Sequence, residues 1–297
     1  MPIHGKFVFA MVGGEDYSRF KRADFTVILE DTRCKVFTYS SARYPNVQFV
    51  GLKHPWFLAR TKKSIYPDGR KPHEFLQFMS LWNRAVAYLL THYRNAGEIN
   101  LFHAVDYHAG LAPIYLEAQG EKPIPVAVTL HNALYQGSML ETLGPLEWRK
   151  IEALLRLPAA RFYCDIEGDF NMLHAICDYV RHHQNGRGIT GVSHRYAEQL
   201  GIEIPLLKGL EVLGHPNPML ETSRPKLPEG VTLMQHKAAC KAKVQEQLGF
   251  TVNPHAVLIS FIGRWSYEKG VDLIADIVPW LLDRFPEVQM YLCGPVG

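Results

Sequence analysis

The sequence predicts an α/β chain built on parallel sheet, and three observations carry that prediction. Short β-rich runs alternate with stretches of helical periodicity along most of its 297 residues. The runs "IPVAVTL" and "AVLISFIG" are almost continuously apolar, as strands buried on both faces are. Polar clusters follow directly on several of the runs, and parallel sheets bind ligands at the carboxyl ends of their strands.

In chain order, "DFTVILED", "CKVFTY" and "NVQFVGL" within 24–50 read as strands separated by polar breaks. Residues 72–94 carry apolar side chains at helical spacing and form a long helix. "INLFHAVDYHAGLAPIYLEAQ" reads as a strand to about His103, a loop, and a helix from about Ala109. A buried strand at 124–130 ends in the polar loop "HNALYQG". Next come a helix at 169–180, a short strand at 188–193 and the helix "HRYAEQL". Residues 214–231, with Pro216, Pro218, Pro225 and Pro228, read as a linker. Beyond it the order is helix, buried strand (256–263), helix (271–285) and strand (288–294). The expected domains are 1–213, the linker 214–231, and 232–297 as the start of a second unit whose sheet is incomplete.

Composition narrows the function. Hydrophobic residues make up 47% and charged residues 21%, which is ordinary globular usage. A net charge of +3 from scattered Lys and Arg gives no nucleic-acid footprint. Cys34, Cys164, Cys177, Cys240 and Cys293 are widely spaced and odd in number, which fits free thiols in a reducing compartment better than disulfides or zinc. No stretch approaches the roughly 18 apolar residues of a membrane span, and no signal peptide is apparent.

Three clusters carry chemistry. Asp106 and His108 follow the strand at 100–103. His131, Asn132, Tyr135 and Gly137 follow the strand at 124–130. Gly263, Arg264 and Lys269 form a turn between an apolar run and a helix starting near Gly270. That helix start has unpaired N–H groups and a positive dipole end, and with two added cations beside it such a site suits a pyrophosphate. Each residue has a plainer reading. Arg264 and Lys269 read equally as solvated loop charges, and His108 and His131 as hydrogen-bonded loop or cap histidines. Asp106 reads as the cap of the following helix and Asn132 as turn chemistry. The run "RHHQNGRG" reads as a solvated loop, and no metal site is expected.

In order and spacing, "DYHAGLAP", "LHNALYQG", "NMLHAICDYVRHHQNGRGITGVSHRY", "VLGHPNP" and "FIGRWSYEKGVDLIADIVP" resemble the glycosyltransferase module of fungal α-1,3-glucan synthases, and more distantly starch and glycogen synthases. "MVGGEDYSRF" and "YPDG" fit the same module. The resemblance implies a GT-B fold of two Rossmann-like domains. It implies retaining transfer of glucose from UDP-glucose to a growing α-glucan, without a further cofactor. Arg264 and Lys269 would hold the donor diphosphate, His108 would line the glucose subsite, and His131 and Asn132 would lie in the same cleft. Family members are membrane-bound, with this module on the cytoplasmic side of the plasma membrane. The family's Lys-x-Gly-Gly-Leu loop has no counterpart here, and its Glu-x-x-Gly-Leu stretch would fall beyond Gly297. The resemblance therefore implies a piece of a larger enzyme, inactive by itself. Two other classes stay open: a non-catalytic α-glucan-binding or scaffolding protein, and another GT-B enzyme such as a phosphorylase.

Overall fold

The computed structural model describes residues 7–12, 18–60, 66–67, 71–138, 147–219 and 226–295. Residues 13–17 of "MVGGEDYSRF", 68–69 of "YPDG" and 220–225 of the proline-rich connection lie outside the described residues. The chain divides into two compact units, Met1–Pro218 and Met219–Gly297.

The first unit opens with a sheet that corrects the expectation of purely parallel pairing. Strands β1 (Phe7–Val12), β2 (Lys21–Ile28), β3 (Arg33–Ser41) and β4 (Tyr44–Lys53) lie in the order β1-β4-β3-β2. Only β1 and β4 run parallel; β2–β3 and β3–β4 are antiparallel. The cause is connection length. Four residues link β2 to β3 and two link β3 to β4, far too few for a parallel crossover.

A short helix α1 (Pro55–Leu58) leads toward α2 (Pro72–Asn95). In α2, Pro72 opens the helix, Glu74 sits in the first turn, and His92 and Arg94 sit in the last, all matched to the dipole. Its buried face carries Leu76, Phe78, Met79, Ala85 and Val86, with two polar residues among them, Ser80 and Asn83.

The second sheet is wholly parallel. Strands β5 (Phe102–Val105), β6 (Val126–Leu130), β9 (Arg187–Gly191) and β10 (Glu211–Gly214) stand in the order β10-β9-β6-β5. Each neighbour in sequence is a neighbour in space. Helix α3 (Ala112–Ala118) joins β5 to β6, and α7 (His194–Glu203) joins β9 to β10. Between β6 and β9 lie α4 (Trp148–Leu155), α5 (Ala160–Cys164), a tiny β7–β8 hairpin (Asp165–Ile166, Asp169–Phe170) and α6 (Met172–Gln184). Residues 169–170, expected as helix, are therefore strand, because Asn171 caps α6 by accepting from the His174 amide at 2.9 Å. His182 and His183, expected in a loop, occupy the last turn of α6. There they approach Asp178 at 3.2 Å and Glu117 at 3.4 Å. The strand interiors pack Ala104, Val126, Val128, Leu130 and Ile189 into one core with α2, α3 and α6. These are the parallel sheet and Rossmann-like elements of a GT-B-type α/β chain.

The second unit has α8 (Leu233–Gln247), β11 (Val257–Ile262), α9 (Val271–Arg284) and β12 (Val288–Cys293). Thr232 and Gln235 form a capping box at the start of α8. Strands β11 and β12 are parallel and in register. The expected burial of β11 does not hold. Val257 is 51% and Ile262 76% exposed. Two strands and their helices do not cover both faces of this sheet, and the apolar stripe Leu273, Ile277 and Trp280 of α9 is exposed as well.

Backbone approach is close where β10 meets the start of α7. A Cβ built on Gly214 would lie 2.3 Å from His194 Cα. We expect Gly214→Ala to cost at least about 2 kcal/mol of stability, measured by urea unfolding. A variant as stable as the parent would show that this contact gives way freely.

Candidate functional site

The carboxyl ends of β5 and β6 bring the first two clusters together. Asp106 takes a left-handed conformation, φ 49°, which Asp tolerates better than most residues. Its amide donates to the Thr129 carbonyl at 2.9 Å. Its Oδ1 accepts from the His131 amide at 2.7 Å and the Asn132 amide at 3.3 Å. Asp106 therefore does not cap the helix after it. It ties the end of its own strand to the loop leaving the next. Its Oδ2 lies 3.8 Å from His131 Nδ1.

Asn132 makes turn contacts of its own: its side-chain oxygen accepts from Leu134 N at 3.1 Å, and its carbonyl from Tyr135 N at 3.1 Å. Turn chemistry and a ligand-facing role are compatible here, since the Asn132 amide group keeps its N–H donors. Tyr135 is 54% exposed beside this turn. Gly137 is fixed by packing as well as by its φ of 65°, because a Cβ there would meet the Tyr107 ring at 2.7 Å.

His108 sits between two phenol rings. Tyr66 stacks on it at 5.0 Å and 11°, Tyr107 at 4.3 Å and 29°. Its Nδ1 lies 3.2 Å from the Val105 carbonyl. A carbonyl only accepts, so Nδ1 carries the proton and Nε2 keeps a lone pair. Burial lowers the His108 pKa, opposed by the Val105 carbonyl and by Asp106. The imidazole is thus held neutral with one nitrogen free to accept.

The turn carrying Asp106 and His108 rests on Asn83 of α2, which is fully buried. Its amide nitrogen donates to the His108 carbonyl at 3.1 Å and the Met79 carbonyl at 2.9 Å. Its amide oxygen accepts from Leu111 N at 3.0 Å. Beside this turn a relay crosses the sheet. His103 Nε2 lies 2.8 Å from Thr129 Oγ1, which lies 3.0 Å from Thr190 Oγ1, and that hydroxyl donates to the Val128 carbonyl at 3.1 Å. Because the last acceptor is a carbonyl, every proton points the same way and His103 is the donor. Burial first, then the nearby His131, lowers the His103 pKa.

Sequence patterns did not single out Asn83, Tyr66, Tyr107 or His103. Asn83 had a signal: an amide on the apolar face of α2, four residues after Met79. Tyr66 and Tyr107 lie within the segments "YPDG" and "DYHAGLAP", but their stacking on His108 is a tertiary fact.

The third cluster belongs to the second unit. Gly263 follows β11 directly and its amide donates to the Cys293 carbonyl at 3.0 Å. A Cβ on Gly294 would lie 1.7 Å from the Gly263 carbonyl, so β11 and β12 leave the sheet in backbone contact. Residues 264–269 fold back as a tight turn, with Lys269 N donating to Ser266 O at 2.9 Å. The turn ends at Gly270, φ 67°, which caps α9. Arg264 Nη2 bonds Glu268 Oε1 at 3.2 Å, with both side chains largely exposed. Lys269 is exposed and makes no ion pair among the described residues.

The fold defines the class, an α/β chain with parallel sheet and Rossmann-like elements, with two histidines at strand ends of the first unit and a cationic turn at a helix start of the second. The chain belongs to the starch synthase catalytic domain family, whose model matches residues 1–203. It is also similar to the cell wall alpha-1,3-glucan synthases of Schizosaccharomyces pombe. Identity to mok11 is 33% over 98% of this chain, and to ags1 35% over 84%. These alignments span 12% and 10% of the two relatives' lengths. The resemblance drawn from five short motifs is borne out.

Two measurements test the site's construction. His54, His103, His108 and His174 all have pKa values lowered from 6.5, chiefly by burial. The unfolded chain then binds more protons than the folded one. Their stabilisation is complete above 6.5 and is lost as pH falls from there through the lower folded-state values. Unfolding free energy should therefore drop as pH is lowered below 6.5, with a smaller drop in His108→Gln. A flat profile would contradict the burial argument. Separately, Asn83→Leu removes the side-chain partner of three backbone groups and should cost about 2–4 kcal/mol. Calorimetric unfolding within a few tenths of the parent value would show that the turn holds itself.

Proposed function

We propose that this chain is part of a retaining glucosyltransferase that moves glucose from UDP-glucose to a growing cell-wall α-glucan. The observation that carries the proposal is the Gly263–Gly270 turn. It puts Arg264 and Lys269 on the segment that leads into the N-terminus of α9, where backbone N–H groups and the helix dipole favour an anion.

In the transfer, the bond between the glucose anomeric carbon and the diphosphate oxygen breaks, and the electron pair leaves with UDP. A new bond forms from that carbon to an acceptor hydroxyl, whose proton passes to the departing diphosphate. Negative charge therefore grows on the diphosphate, and preorganised cations lower that barrier. The Arg264–Glu268 pair does not block this role. An exposed ion pair contributes about 0–1 kcal/mol, so a diphosphate with more charge displaces Glu268 readily. His108, neutral and rigid, offers Nε2 as an acceptor for a sugar hydroxyl. Asp106, His131, Asn132 and Tyr135 supply further polar contacts for the transferred glucose or the acceptor.

In an active enzyme carrying this module, Arg264→Ala and Lys269→Ala should each lower kcat about a hundredfold or more, assayed as UDP released from UDP-glucose. Unchanged kcat in both variants would remove the assigned role.

A further inference from the structure

A recessed region of the first unit lies away from the strand-end cluster. Two cavities of about 550 and 430 Å³ share Arg84 and Arg156, and none of Asp106, His108, His131, Asn132 or Tyr135 lines either one. Asp31 stands where they meet. Its carboxylate takes Arg84 at 2.8 Å and 3.3 Å and Arg156 Nε at 3.2 Å. Arg84 is further fixed by donating Nε to Ser80 Oγ at 3.1 Å. Arg156 caps α4 in the left-handed conformation, φ 52°, which is strained for a residue with a Cβ.

The smaller cavity adds groups of a particular kind. Trp56 stands at its wall, 37% exposed. Gln77, exposed on α2, presents an amide. His54 Nδ1 accepts from the Trp56 amide at 3.2 Å, so His54 Nε2 donates to Thr32 Oγ1 at 3.0 Å. The Thr32 hydroxyl proton then remains available to a ligand.

Two ligand chemistries compete for such a groove. A small anion would use Arg156 and Lys150 but would face the Asp31 carboxylate at the junction. A neutral polyhydroxylated chain uses both signs: hydroxyls donate to Asp31 and Gln77 and accept from Arg156 and Thr32. The indole face offers a sugar ring's C–H groups a negative π surface. Two cavities meeting at one cluster also suit an extended ligand better than a compact one.

We propose that this groove, centred on Asp31, Trp56, Gln77 and Arg156, is a second carbohydrate site that holds a segment of α-glucan away from the strand-end cluster. The identity of the sugar rests on the glucosyl-transfer proposal; the groove's chemistry does not.

The test is calorimetric titration of the chain with a linear α-1,3-linked glucose oligosaccharide. Trp56→Ala and Gln77→Ala change exposed side chains, and circular dichroism confirms that both variants are folded. The expected result is saturable binding whose Kd rises roughly tenfold in Trp56→Ala and less in Gln77→Ala. Binding unchanged in both variants, no binding to the parent chain, or displacement of the sugar by millimolar inorganic phosphate would each overturn the proposal. The two readings fail separately. Lys269→Ala that abolishes transfer while Trp56-dependent binding persists supports the groove. Transfer that persists while no binding depends on Trp56 sinks the groove alone.

Discussion

The amide of Asn83 is the constraint on which the strand-end cluster depends. A parallel strand must hand its chain to a helix through a turn, and the turn's backbone groups lie too deep for water to satisfy. Asn83 meets that demand from a third element, accepting from Leu111 N and donating to the His108 carbonyl. It therefore fixes both ends of the segment that carries His108. Replacing a buried amide leaves backbone groups unpaired, and each such loss costs about 1–3 kcal/mol. Few side chains could substitute, because donor and acceptor must stand side by side.

Asp106 does the complementary work across the sheet. Its left-handed backbone turns the chain out of β5, and its carboxylate gathers the amides leaving β6. With Oδ1 occupied by backbone donors, Oδ2 is the oxygen left nearer His131. One carboxylate thus engages two neighbours, Oδ1 the backbone leaving β6 and Oδ2 the His131 ring. The same economy holds at His108, whose Nδ1 is spent on Val105 so that Nε2 stays an acceptor. A ring clamped between Tyr66 and Tyr107 loses little entropy when it meets a ligand.

Much of this was legible in the sequence. The long amphipathic run at 72–94 became α2, and the apolar run at 124–130 became β6, because burial on a sheet or helix face leaves a periodic trace. The strand-end residues were legible through the rule that parallel sheets keep their chemistry at carboxyl ends. The antiparallel β2–β3–β4 meander was not inferred, although its two- and four-residue connections demanded it. Helices α4 and α5 were missed, since α5 has only five residues and begins from a left-handed Ala159. The partners of His108 were illegible in principle. Tyr66 and Asn83 lie 42 and 25 positions away and meet it only in the folded chain.

The two cations of the Gly263–Gly270 turn differ in a way their spacing does not reveal. Arg264 has a carboxylate one turn away at Glu268, whereas Lys269 has no ion pair among the described residues. The Arg264 pair is exposed and contributes only about 0–1 kcal/mol, so it orients the guanidinium weakly. The Lys269 ammonium is a compact point charge on a flexible stem. An anion at this turn would exchange with a carboxylate at Arg264 and meet no such competitor among the described residues at Lys269. Backbone contact between Gly263 and Gly294 sets where that turn begins. With a Cβ at Gly294 the two strand ends would have to part at the point where the turn begins, and Arg264 would be displaced first because it follows Gly263 directly, whereas Lys269 is joined to the cap of α9.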